Sequence, residues 1–389
     1  MTKALVQYTR HPLIISFQEV SEYKDTYAGE IGTVVLTAHL LKPENSESKT
    51  VVVFMHPTGG GSYLPMLNSL ARQGIDTVWC DSRYRGTDSA LIMEKVLIDL
   101  GNCIRHLKEV HGYEKVVLGG WSGGGSLSLF YQSQAENPTI TETPAGDPID
   151  LISENFIPAD AVMLIAAHES RHRTFTEWLD GSVLDENNPE NRKQELDIYD
   201  RDNPNQPKYS DDFIDVYREA QISRNRKITN WVKNKLDEFK KNGYENREFG
   251  FVVHRTMADP KWLDPSIDPN GRKPNWCFLG EPEVVNNSPI GLGRYCSLRS
   301  WLSQWSYDEA RGDGLSCAGD INVPTLVIGN SDDDGITPSH TKNLFNSINH
   351  DNKKLLWIEG ANHYYFGQPD KSKEAAIECK NWLENRNLI

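Results

Sequence analysis

The chain has 389 residues, of which 38% are hydrophobic and 25% are charged, and its formal net charge at pH 7 is −14. This is an ordinary globular composition with enough apolar material for a sizeable core. An acidic surface repels phosphate backbones and anionic lipid headgroups, so we expect neither a nucleic-acid partner nor a membrane partner.

Strands and helices alternate along the first part of the chain. Strands are predicted at residues 13–20, 33–41, 50–55, 75–80, 115–121 and 159–167, and helices at residues 65–73, 91–110 and 123–134. The strand at 50–55 is a nearly continuous apolar run, which is typical of a strand buried on both faces. The alternation predicts the α/β class, with a mostly parallel, doubly wound sheet covered by helices on both faces.

The alternation stops after residue 169 and returns near residue 321. The segment between them is polar and rich in Asn, Asp, Pro and Trp, with one long predicted helix at 210–241 and one isolated strand at 249–253. The last part of the chain has predicted strands at 323–329 and 354–359 and predicted helices at 339–348 and 371–385. The sequence therefore predicts a core in two parts, 1–169 and 321–389, interrupted by a largely helical cap at 170–320.

A glycine-rich turn carries the candidate nucleophile. Gly120-Trp121-Ser122-Gly123-Gly124 fits the pattern G-x-S-x-G, between a predicted strand and a predicted helix. Such a sharp turn strains the serine backbone, and side chains two residues to either side would clash. The serine hydroxyl then projects above helix N–H groups that can stabilise an oxyanion. We predict that Ser122 is a nucleophile; the alternative is a turn without a chemical role.

A serine nucleophile needs a base, and a histidine base is usually oriented by an acid. His363 follows the last predicted strand and is the predicted base. Three adjacent aspartates follow the preceding strand, and one of their carboxylates could hold the imidazole in the correct tautomer. Asp334, four residues before Pro338, is the predicted acid, with Asp332 and Asp333 as alternatives.

The chain order Ser122, Asp334, His363 resembles that of the α/β-hydrolase superfamily, over residues 50–168 and 320–389. The loop His56-Pro57-Thr58-Gly59-Gly60 stands where that family carries its His-Gly oxyanion loop, with a proline in place of the usual glycine. The resemblance implies an oxyanion hole formed by the backbone N–H groups of Gly123 and Thr58, with Gly59 as the alternative to Thr58. It also implies an esterase-like or lipase-like enzyme that has a lid insertion and needs no cofactor.

A second motif lies at the end of the strand predicted at 159–167. His168-Glu169-Ser170-Arg171-His172 fits H-E-x-x-H, in which two histidines on one helix face share a zinc ion. Here the first histidine falls at a strand end rather than inside a helix, so we predict no metal.

No clear third zinc ligand follows the motif, although three glutamates are available at Glu177, Glu186 and Glu190. The carboxyl end of this strand is expected to open near the nucleophile. We therefore predict substrate contacts for His168 or Glu169, and also for His56. A structural role is the alternative for each.

The predicted cap carries aromatic and basic residues, each of which could have either a substrate-binding role or a structural role. Four tryptophans could line an apolar acyl or aryl pocket, although packing of the cap onto the core is favoured: Trp178, Trp262, Trp301 and Trp305. Arg255 and Arg294 could bind a substrate carboxylate, but a surface or structural role is favoured for both.

The six cysteines show no CxxC spacing, and a chain of this length does not need disulfides, so we expect free buried thiols. Residues 1–17 contain no apolar run of signal-peptide length, and no stretch reaches the roughly 18 apolar residues of a membrane span. These features predict a cytoplasmic protein.

The predicted reaction is hydrolysis of a small or medium carboxylic ester through an acyl-enzyme intermediate, with a small-molecule acyl substrate as the partner. A thioester is the second choice of substrate. Carbon–carbon cleavage in a diketone is the third, because capped members of the resembling family use the same machinery for it. A zinc-dependent hydrolase and a non-catalytic binding protein are the alternatives from other classes.

Overall fold

The structure is a computed structural model that describes residues 6–20, 24, 26 and 29–389. The first five residues of the segment in which we predict no signal peptide lie outside the described residues.

Ten strands are present in the described residues: β1 (Tyr8–Gln18), β2 (Thr33–Pro43), β3 (Thr50–Phe54), β4 (Thr77–Cys80), β5 (Lys115–Trp121), β6 (Ala161–Ile165), β7 (Gly250–Val252), β8 (Tyr295–Ser297), β9 (Thr325–Asn330) and β10 (Lys353–Ile358). Eight of them form one sheet in the order β1-β2-β4-β3-β5-β6-β9-β10. Pairing is antiparallel from β1 to β4 and parallel from β4 to β10. The predicted mostly parallel sheet is confirmed.

The α-helices of the described residues are α1 (Pro65–Arg72), α2 (Met93–Glu109), α3 (Gly123–Glu136), α4 (Arg171–Trp178), α5 (Asp211–Lys241), α6 (Pro260–Leu263), α7 (Pro282–Asn287), α8 (Leu298–Ser300), α9 (Gly314–Asp320), α10 (Pro338–Ser347) and α11 (Pro369–Glu384). Apolar side chains of α1 and α11 form one core cluster with the sheet, and those of α2, α3, α9 and α10 form another. The central strands are therefore covered on both faces, and every residue of β3 is buried, as its apolar run predicts.

Strand β1 begins earlier than predicted, at Tyr8 rather than at residue 13, so that it includes Pro12, which lies opposite His39. Proline cannot donate a ladder hydrogen bond, and it is tolerated here because β1 is the edge strand of the sheet.

The chain between β6 and β9, where we predict the cap, has apolar clusters of its own. It contains helices α4–α8, a 3₁₀ turn at Gln194–Leu196 and a π-helical turn at Trp301–Trp305. The strand predicted as isolated is not isolated, because β7 pairs with β8 in an antiparallel ribbon. Helix α9 falls inside the predicted cap range, yet it packs on α3 and α10 of the core.

All six cysteines are free and buried, which confirms the sequence prediction. Within the part of the chain that the structure describes, no helix combines the length and the apolarity that a membrane crossing requires.

Candidate active site

The turn between β5 and α3 places Ser122 at the carboxyl edge of the sheet. Ser122 has φ 53° and ψ −124°, in the left-handed region that costs a non-glycine residue free energy. A β-carbon on Gly120 would lie 2.6 Å from the Cα atom of Gly125, and one on Gly124 would lie 2.5 Å from the Met55 carbonyl oxygen. Both contacts are with backbone, so the strained turn requires glycine at these two positions.

His363 lies next to the serine hydroxyl. Its Nε2 atom is 3.2 Å from Ser122 Oγ, and the residue is 2% exposed. The Trp121 indole donates a hydrogen bond to the His363 carbonyl oxygen at 3.3 Å, and the two rings lie 4.8 Å apart between centroids. Trp121 therefore helps to position His363 through contacts with both its backbone and its ring.

The carboxylate that contacts His363 belongs to Asp333, so the choice of Asp334 as its partner is corrected. Asp333 Oδ2 lies 2.9 Å from His363 Nδ1, and Asp333 is 1% exposed. Its Oδ1 atom accepts hydrogen bonds from the N–H groups of Gly335 and Ile336, at 2.8 and 2.6 Å. This turn fixes the Asp333 carboxylate toward the imidazole.

The two neighbouring aspartates have other contacts. The Asp334 carbonyl oxygen accepts a hydrogen bond from the Trp262 indole at 3.1 Å, and burial together with the nearby Asp333 raises the pKa of the Asp334 carboxyl. Asp332 accepts a hydrogen bond from the Ser331 hydroxyl at 3.0 Å. Sequence alone could not separate three adjacent carboxylates, because the geometry of the turn decides which one faces inward.

Opposing effects act on the pKa of His363. Burial lowers it, but the charge of Asp333, its hydrogen bond and the charge of Asp334 together raise it above 6.5. Carboxylates beside the ring thus make the imidazole a stronger base than an isolated histidine.

The loop after β3 has its N–H groups engaged within the loop and with Asp81. The Gly59 N–H donates to the His56 carbonyl oxygen at 2.8 Å, and the Gly60 N–H donates to Asp81 Oδ1 at 2.6 Å. The Thr58 N–H, predicted to point at an oxyanion, donates instead to His56 Nδ1 at 3.3 Å. The predicted second backbone donor is therefore already paired in this structure, as is its alternative.

The same contact determines the tautomer of His56. Its Nδ1 atom accepts the Thr58 N–H, so the ring proton lies on Nε2. Burial and the positive charges of Arg171 and His363 lower the pKa of His56 to about 3, so the ring is neutral. His56 therefore presents a neutral N–H donor from Nε2.

Three side-chain nitrogens converge beside Gly123, the first residue of α3. A β-carbon on Gly123 would lie 2.7 Å from His56 Nε2, 3.2 Å from His168 Nε2 and 3.4 Å from Arg171 Nη1. Because Gly123 has no side chain, these three nitrogens can lie close to the first turn of α3. Substrate contacts are predicted for His56 and His168, and both lie beside Gly123, the residue that follows Ser122.

The H-E-x-x-H pattern does not form the arrangement that a zinc protease needs. His168 precedes α4, which begins only at Arg171, so the two histidines do not share a helix face. Glu169 points elsewhere, since its Oε1 atom accepts a hydrogen bond from Asn343 at 2.7 Å. Within the described residues, no group of three or more His, Cys, Asp or Glu side chains could hold a metal ion.

The four tryptophans of the predicted cap are buried in packing clusters. Trp178 and Trp262 lie 5.2 Å apart between ring centroids in one cluster, which also contacts Phe278, while Trp301 and Trp305 belong to another cluster. This is the packing interpretation that the sequence favours. From the same part of the chain, the Phe278 ring lies 5.9 Å from the His363 ring.

The two predicted cap arginines have structural partners. Arg255 pairs with Asp180 and Asp197, and Arg294 donates to the backbone carbonyl groups of Ser288 and Asn286. Arg171, the residue before the second histidine of the H-E-x-x-H motif, also lies beside Gly123. It was not predicted, because that motif assigns no role to this position.

No protein-family model matches the chain, and no curated protein matches it significantly. Solved structures do match. DcsB, determined in complex with its substrate analogue, aligns with a TM-score of 0.51 at 11% identity, covering 97% of this chain and 99% of DcsB.

Two further solved structures match over nearly their whole length. The α/β hydrolase GrgF from Penicillium sp. sh18 matches with a TM-score of 0.49 at 11% identity (96% and 98% coverage). An esterase domain from Rhodothermus marinus matches with a TM-score of 0.47 at 13% identity (96% and 98% coverage). The chain has the α/β-hydrolase fold, and the resemblance is confirmed at that level.

Proposed function

We propose that the protein is a serine hydrolase that cleaves carboxylic esters through an acyl-enzyme intermediate on Ser122. The observation that carries this proposal is the hydrogen-bonded series Ser122 Oγ, His363 Nε2, His363 Nδ1 and Asp333 Oδ2, with distances of 3.2 and 2.9 Å. A serine paired with a base that a carboxylate orients is the arrangement of an activated nucleophile.

In the acylation step, Ser122 Oγ forms a bond to the ester carbonyl carbon while its proton moves to His363 Nε2. The carbonyl electron pair moves onto oxygen and gives a tetrahedral oxyanion. The pair returns as the bond to the leaving alkoxide breaks, and His363 gives its proton to that oxygen. Asp333 stabilises the imidazolium that forms between these transfers.

In the deacylation step, water takes the place of the alcohol. His363 accepts a proton from water as the water oxygen bonds to the acyl carbon, and the second tetrahedral intermediate then breaks its bond to Ser122 Oγ. The proton returns to the serine oxygen, and the products are one carboxylic acid and one alcohol for each ester and water consumed.

Two donors are proposed for the oxyanion. The backbone N–H of Gly123 is one, because it is the first residue of α3 and has no acceptor within the helix. The other is His56 Nε2–H, which approaches Gly123 as a neutral donor. A side chain thus replaces the loop N–H, since Pro57 has none and the Thr58 N–H is paired.

The direct test is steady-state hydrolysis of short-chain ethyl esters by the wild type and by Ser122→Ala. We expect the variant to fold and to lose about 10³-fold or more in kcat. Hydrolysis by Ser122→Ala at a rate near that of the wild type would overturn the proposal.

A cytoplasmic location remains part of the proposal and rests on the sequence.

A further inference from the structure

A buried arginine lies beside the nucleophile with one nitrogen unpaired. Arg171 is 3% exposed and is the first residue of α4. Its Nε and Nη2 atoms both donate to Gln304 Oε1, at 3.2 and 3.0 Å, and the guanidinium stacks 4.3 Å from the Trp305 ring centroid. Within the described residues, Nη1 makes no hydrogen bond, and it is the atom that faces Gly123.

The charge of Arg171 is only partly balanced by protein groups. The carboxylate that contacts it, Asp88, lies 3.7 Å from Nη2, beyond hydrogen-bond distance. Burial lowers the pKa of Arg171 to about 10 despite the charge of Asp88. The free energy of this charged side chain would therefore fall if an anion approached Nη1.

His168 presents a second side-chain nitrogen at the same place. It is buried, its Nδ1 atom has no hydrogen-bond partner, and its Nε2 atom faces Gly123 alongside Arg171 Nη1. Burial and the nearby positive charges of His340 and Arg171 lower the pKa of His168 well below 6.5, so the ring is neutral. A buried imidazole without partners on a cationic pocket can donate to an incoming anionic oxygen.

We infer that Arg171 and His168 form a carboxylate-binding subsite, so that the preferred substrates are esters carrying a free carboxylate close to the scissile carbonyl. This inference rests on the proposed function and names its substrate class. Arg171 Nη1, His168 Nε2 and the proposed oxyanion donor His56 Nε2 all lie within 3.4 Å of one point beside Gly123. The carboxylate and the carbonyl must therefore be separated by only a few atoms, as in the half-ester of a short dicarboxylic acid.

The test compares half-esters with neutral esters of the same length. The substrates are the monoethyl esters of malonate, succinate and glutarate, each paired with the ethyl ester of propanoate, butanoate or pentanoate, in which a methyl group replaces the carboxylate. Ethanol release is followed by NMR. We expect kcat/KM to favour at least one half-ester by about tenfold to a hundredfold, the value of one or two hydrogen bonds to a charged group.

Substitutions assign this preference to Arg171. Arg171→Met is expected to reduce kcat/KM for the half-ester about tenfold or more beyond its effect on the matched neutral ester, and Arg171→Lys to give an intermediate ratio. Arg173→Met is the matched control: it lies on the same helix, but its guanidinium pairs with Asp313 at 2.9 Å, and it should keep the wild-type ratio. If Arg171→Met does not fold, Arg171→Lys decides the assignment.

Labelling of Ser122 by a neutral fluorophosphonate separates the two proposals. If the wild type is labelled but shows no preference for any half-ester, or if the preference survives in both Arg171 variants, the carboxylate subsite is wrong and the serine hydrolase stands. If Ser122 is not labelled and none of the six esters is hydrolysed, the proposed function itself has failed.

Discussion

At the scale of single residues, we expect substitutions of two adjacent aspartates, Asp333 and Asp334, to have very different effects on kcat. Asp333→Asn removes the carboxylate that holds His363 Nδ1, so we expect kcat to fall by about 10³- to 10⁴-fold. Asp334→Asn keeps that contact and should stay within about tenfold of the wild type. Steady-state kinetics of the two variants, with circular dichroism to verify folding, compares them. A larger loss in Asp334→Asn would show that Asp334, and not Asp333, is the acid that orients His363.

The pH dependence of kcat/KM reports on the same base. His363 must be neutral to accept the serine proton, and Asp333 and Asp334 raise its pKa above 6.5. We therefore expect kcat/KM to fall as the pH falls through a midpoint above 6.5. This midpoint should move to lower pH in Asp334→Asn, because the Asp334 charge no longer raises the pKa of His363. A wild-type midpoint at or below 6.5 would show that the carboxylates do not control this base.

The proposed side-chain oxyanion donor can be tested by truncation. His56→Ala removes Nε2–H while leaving Ser122, His363 and Asp333 in place, and we expect kcat to fall by about 10²- to 10³-fold with little change in KM. The matched control is Thr58→Val, which removes the hydroxyl against His56 Nδ1 but keeps the Thr58 backbone N–H. Near-normal turnover in His56→Ala would instead support the backbone donor of Thr58.

At the scale of elements, the strained turn between β5 and α3 tolerates a methyl group differently at neighbouring glycines. Gly124→Ala places a β-carbon 2.5 Å from the Met55 backbone oxygen, so it should destabilise the fold by about 1–3 kcal/mol. For Gly123→Ala the three nearest atoms belong to side chains, the closest being His56 Nε2 at 2.7 Å, so this variant should lose activity with a smaller loss of stability. Thermal unfolding of both variants tests this order, and the reverse order would contradict it.

Secondary-structure elements were predictable from the sequence where burial of apolar side chains determines them. The buried strands are visible as apolar runs, and β5 begins and ends at the predicted residues. The partner of β7 was not predictable, because β8 is only three residues long and carries little pattern of its own. Likewise the packing of α9 on the core depends on contacts with α3 and α10, which no local pattern encodes.

At the scale of the whole molecule, charged side chains connect distant parts of the chain in a way that the sequence could not predict. Glu177 of α4 contacts Lys261 of α6 at 2.9 Å and His340 of α10 at 3.4 Å, so one carboxylate joins two helices of the predicted cap to a helix that follows β9. Ser122 and His363 lie 241 positions apart, and their contact was predictable because their order along the chain resembles that of a known superfamily. The sequence could not show that Arg171, inside a misleading zinc motif, would face the same site.

The measurement that tests the central claim most directly is fluorophosphonate labelling of the intact protein, read by mass spectrometry and peptide mapping. The account predicts one adduct, located on Ser122, formed at the same rate with and without a metal chelator and strongly slowed in Asp333→Asn. A folded protein that forms no adduct, or one labelled at a serine other than Ser122, would contradict the account.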